Sequence, residues 1–81
     1  MTAENTETGE RVQVPPDADL NLFIRDDGLA WVYSFGEYRI ASGYFDGIKR
    51  KAVQITGDKL PRNTLTWIAA FSREQISRLG H

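Results

Sequence analysis

From Asp19 onward, apolar and polar positions alternate with the two-residue period of a β-strand. Leu20, Leu22 and Ile24 fall on one side, and Asp19, Asn21, Phe23 and Arg25 on the other. Asp26-Asp27-Gly28 then supplies turn chemistry, because glycine accepts a positive φ without steric cost. Alternation resumes over Leu29–Phe35, with Leu29, Trp31, Tyr33 and Phe35 sharing one face. Gly36-Glu37 suits a two-residue hairpin loop with glycine first. The chain returns over Tyr38–Phe45, turns again at Asp46-Gly47, and runs as a fourth strand over Ile48–Thr56 to Gly57-Asp58.

The pattern then becomes ambiguous. Lys59–Thr64 reads as a loop, since Pro61 has no N–H for a central ladder. Leu65, Trp67, Ala69 and Phe71 alternate and predict a fifth strand, although the two alanines and a cap at Asn63 or Thr64 would suit a helix. Ser72-Arg-Glu-Gln75 has the form of a capping box, which places a helix at 73–79. Ile76 and Leu79 would face inward and Glu74 would pair with Arg78 one turn on. The expected fold is mainly β: a small five-stranded antiparallel barrel or rolled sheet with a C-terminal helix. Its core would hold Leu20, Leu22, Ile24, Trp31, Ile40, Val53, Ile55, Leu65, Trp67, Phe71, Ile76 and Leu79.

Residues 1–16 are rich in Thr, Glu and Gly and close on Pro15-Pro16. They read as a disordered acidic tail before a single domain at 17–81, with a short edge strand around Val12 and Val14 as the minority reading. The 81 residues carry a net charge of −1, unevenly spread. Residues 1–27 hold seven acids against Arg11 and Arg25, whereas residues 28–81 hold eight bases against four acids. A core this small leaves room for support from a partner or from assembly into a homo-oligomer.

Several classes of chemistry lack their residues. There is no cysteine, and the one histidine, His81, is terminal, so neither a thiolate metal site nor a histidine-based triad is expected. Phosphate-binding glycine motifs are missing. Asp17-x-Asp19-x-Asn21 opens like a calcium loop, but Leu22 stands where the turn needs glycine and Gly28 where a bidentate Glu is needed. No apolar run is long enough to span a bilayer, and the first residues do not have the form of a signal peptide. The expectation is therefore a cytoplasmic, non-catalytic binding module with no metal and no cofactor.

What it binds rests on one segment. Tyr44 and Phe45 precede the Asp46-Gly47 turn, and Lys49, Arg50 and Lys51 follow it. Aromatic faces stack on unpaired bases while Lys and Arg neutralise phosphates, so this hairpin is the candidate surface for RNA or single-stranded DNA. Arg39, Lys59 and Arg62 would widen it. Against that, Lys49 and Lys51 face opposite Arg50 in a regular strand, and flanking charges also serve to keep strands from aggregating. The alternative is a small regulatory or inhibitory protein that docks on a protein partner. It would use an aromatic hairpin tip of Tyr33, Phe35 and Tyr38, or an exposed sheet edge.

Overall fold

The alternating segments do form strands, but the sheet stays open. In the computed structural model, which describes residues 1–80, six antiparallel strands and one C-terminal helix are present. The strands are β1 (Thr2–Glu4), β2 (Arg11–Gln13), β3 (Asn21–Ile24), β4 (Ala30–Phe35), β5 (Tyr38–Asp46) and β6 (Lys51–Gly57), followed by α1 (Arg62–Leu79). The order is β2-β1-β5-β4-β3, with β6 also paired to β5. One side of β5 is thus shared: β6 runs along Ala41–Asp46, and β1 takes over at Arg39. Nothing closes the ends into a barrel.

Cross-strand pairs divide the sheet into two faces. Leu22–Tyr33–Ala41, Ile24–Trp31–Gly43 and Phe45–Ala52 lie in register on the face covered by α1. Phe23–Val32–Ser42 and Ala30–Tyr44–Val53 lie on the other, which no element covers. A bulge where β5 meets Tyr33 and Ser34 inserts one residue, and the successive Ile40 and Ala41 are both buried. Trp31 packs so closely over Gly43 that a Cβ there would overlap its ring and the Val53 carbonyl oxygen. Burying Ile40 and Ile68 stabilises the fold by about 1.5–3 kcal/mol each.

The fifth strand and the short helix expected from the sequence are instead one long helix. Over 62–79 the inward positions are Leu65, Ile68, Ala69, Ser72 and Ile76, a helical spacing. The alternating set Leu65, Trp67, Ala69, Phe71 would have sent Ile68 to solvent. Ser72 does not cap a helix; it is fully buried in the middle of one, against the turn at Gly28. A Cβ on Gly28, whose φ is +77°, would lie 2.5 Å from Ile76 Cγ1, so this glycine serves both the turn and the helix crossing. The expected core changes accordingly. Ile55, Trp67, Phe71 and Leu79 are exposed, while Ala3, Ala41, Phe45, Ala52, Leu60, Ile68 and Ala69 are buried.

The other correction concerns residues 1–16. Two of the six strands come from this segment, whose composition predicts a disordered tail. Ala3 pairs with Val12 and is buried, and Val12 and Val14 pack against the core. Asn5 Oδ1 accepts from the amides of Glu7 and Thr8 and shapes the turn between the strands. Among the described residues no helix is long and apolar enough to cross a membrane.

Candidate nucleic-acid interface

The β5–β6 turn is built on Asp46. Its Oδ1 accepts from the amides of Ile48 at 3.0 Å and Lys49 at 3.1 Å. These bonds, the Lys49 amide first, hold the Asp46 carboxyl below its ordinary value, helped by the nearby ammonium groups of Lys49 and Lys51. The turn ends at Arg50, the one non-glycine residue with positive φ among the described residues, at +57°. That conformation costs an L-residue about 1–2 kcal/mol, so arginine sits where glycine or asparagine would be easier. It directs Arg50 toward α1, where Arg73 Nη1 donates to the Arg50 carbonyl at 3.4 Å.

The loop from β6 to α1 is organised by Gln54. Its Nε2 shares two N–H groups among the carbonyls of Thr56, Gly57 and Asp58, the last nearest at 2.6 Å, and its Oε1 accepts from the Leu60 amide at 2.9 Å. With Leu60 buried, this clamp sets Lys59 and the start of α1 beside β6. Pro61 occupies the N-cap and supplies no side-chain cap, and no acid lies in the first helical turn. The positive end of the helix is therefore uncompensated by any side chain of its own.

A groove of about 520 Å³ results between the free edge of β6 and α1. Five bases line it: Arg50, Lys51, Lys59, Arg62 and Arg73, with no acid among the lining residues. Leu60, Leu65 and Ala69 contribute to its apolar floor. Among the described residues the ion pairs are Arg11–Glu4, Arg25–Asp27 and Arg78–Glu74, so none of the five groove bases is in one, although Lys51 lies cross-strand from Asp46.

The other candidates scatter. Tyr44 is 42 % exposed on the uncovered face, cross-strand from Val53, which also lines the groove. Phe45 points the other way into the core and cannot stack on a ligand. Lys49 stays in the exposed turn outside the groove lining. Arg39 lies at the opposite end of β5, opposite Glu4, in a separate hollow with Arg11 and Asp58. Tyr33, Phe35 and Tyr38 are half-buried: Tyr33 meets Trp67 edge-on, and Phe35 stacks on Tyr38, whose hydroxyl donates to Glu10.

Sequence reasoning missed two members. Arg73 belongs to the groove only because 62–79 is one helix, and Gln54 reads in sequence as an ordinary polar strand position. No group of three His, Cys, Asp or Glu side chains placed to hold a metal occurs among the described residues. Fold and groove together define a small, mainly antiparallel β protein with one helix across one face and a cationic cleft at the sheet edge. No protein-family model, curated protein or solved structure matches the chain.

Proposed function

We propose that this protein is a non-catalytic module that binds single-stranded nucleic acid along the β6–α1 groove. The observation that carries this reading is the convergence of Arg50, Lys51, Lys59, Arg62 and Arg73 on one groove that has no acid in its lining, with none of the five in an ion pair. Unpaired cations held side by side repel one another, and an anionic polymer relieves that repulsion while releasing its own counterions. Phosphates occupy the groove, and a base reaches over the β6 edge to the exposed Tyr44 ring. Stacking on such a ring is worth about 1–3 kcal/mol per base.

The test is direct titration of short single-stranded RNA and DNA, followed by fluorescence anisotropy. In the triple variant Lys59→Glu/Arg62→Glu/Arg73→Glu, affinity is expected to fall by about a hundredfold or more. Tyr44→Ala should weaken binding by about tenfold with the groove intact. Equal binding by wild type and the charge-reversed variant would overturn the proposal.

A further inference from the structure

The opposite edge of the sheet has a different chemistry. β3 pairs only with β4, so its outer side is a free edge. The Arg25 amide donates to the Ala30 carbonyl, and backbone groups alternate in direction along a strand. Asn21 and Phe23 therefore hydrogen-bond with β4, while the N–H and C=O groups of Leu22 and Ile24 point outward. Free edges are normally blunted by lysine, proline or a bulge. Asn21–Ile24 has none of these, and its register with β4 is unbroken.

Apolar surface flanks this edge on both faces. Phe23 is 60 % exposed on the uncovered face of the sheet. On the helix side, Trp67 and Phe71 are also exposed and meet edge-to-face at 5.0 Å, and Phe71 and Ile24 line one hollow. The nearby charges are largely balanced within the chain: Arg25 pairs with Asp27 and Arg78 with Glu74, and Asp19 adds one acid. With both arginines already paired, the edge offers no strong field to a polyanion or to a cationic peptide, whereas its apolar side chains and alternating backbone groups match a second copy of itself.

We infer that the β3 edge is a self-association surface, on which a second copy of this chain pairs antiparallel about a two-fold axis. Such pairing is self-complementary by geometry. Centring the axis on Phe23 places Leu22 of one copy opposite Ile24 of the other, where their outward backbone groups exchange hydrogen bonds. The two Phe23 rings then occupy the intervening non-hydrogen-bonded site, where side chains approach most closely. Trp67 and Phe71 from both copies flank the seam on the helix side. The sheet becomes continuous through the dimer, and the basic grooves lie at its two outer edges.

Sedimentation equilibrium over a wide range of protein concentrations tests this, with Phe23→Lys as the disrupting variant and Tyr44→Lys as the control on the same face. Both positions are exposed, and circular dichroism verifies that each variant keeps its fold. The expected result is a wild-type dimer that Phe23→Lys weakens at least about tenfold and Tyr44→Lys leaves intact. A wild-type protein that stays monomeric throughout would overturn the inference, as would a Phe23→Lys variant that dimerises as tightly as wild type. If Tyr44→Lys disrupts the dimer as strongly as Phe23→Lys, the copies pack face to face and the edge assignment is wrong.

Discussion

Gln54 makes four hydrogen bonds from one side chain, and no charged residue of the groove makes as many. It acts on the groove without lining it, by holding the carbonyls of Thr56, Gly57 and Asp58 and the Leu60 amide in one loop conformation. Truncation to alanine returns the exposed carbonyls to water and leaves the part-buried Leu60 amide without its acceptor, at a cost of about 0.5–1.5 kcal/mol. Gln54→Ala is therefore expected to lower stability by that amount in urea titration and to weaken nucleic-acid binding with every groove base still present. Glu at this position keeps the acceptor for Leu60 but loses the donor, so it should rescue little. Unchanged stability in Gln54→Ala would show that the loop holds itself.

At the scale of elements, the β1–β2 hairpin and α1 define what the sheet can be. β1 completes the side of β5 that β6 leaves bare, and the Thr2 amide donates to Asp58 where the two strands abut. Ala3 is fully buried and Val12 and Val14 partly so, which amounts to about 2–3 kcal/mol of apolar burial. Deleting residues 1–14 should lower the thermal midpoint accordingly and speed amide exchange at Arg39 and Ile40. A disordered tail could be removed without effect, so an unchanged midpoint would restore that reading of the segment. α1 matters differently: running from β6 to the Gly28 turn, it covers one face and leaves the other open.

The whole molecule extends 40 × 24 × 22 Å and is electrically divided along its chain. Glu4, Glu7 and Glu10 ride on the N-terminal hairpin, while the five groove bases gather between β6 and α1. If all five contact phosphates of a single strand, log K falls against log salt with a slope of about −3.5. In the triple groove variant two of these contacts remain and three glutamates repel phosphate, so its slope should be flatter than about −1.4. Measuring affinity at several salt concentrations checks both values, and a slope near zero for the wild type would mean that the groove meets no phosphates.

Most strands and turns between Asp19 and Asp58 were legible because each is written locally, but the turn after Asp46 runs on to Arg50, so β6 starts at Lys51 and not at Ile48. Period-two alternation and a glycine or aspartate at each turn need only neighbouring residues to agree. The same holds for the cluster at 49–51, whose basic character is visible in any conformation. Leu65–Phe71 was not legible, since an apolar run of this length satisfies both periods. The choice fell to the sheet, which buries Ile68, Ala69 and Ser72 together only when the segment is helical. Val12 and Val14 showed their alternation, but nothing nearby revealed that β5 had a vacant side for Ala3 to occupy. By itself, then, the sequence determined the central β-meander, most of its turns and the presence of a basic cluster at 49–51. Tertiary structure alone decided that the sheet stays open, that residues 62–79 are one helix, and that Arg73 joins Arg50 while Arg39 and Phe45 do not. The physical reason is that burial is a property of surfaces brought together from distant parts of the chain, and period and charge along the sequence do not contain it.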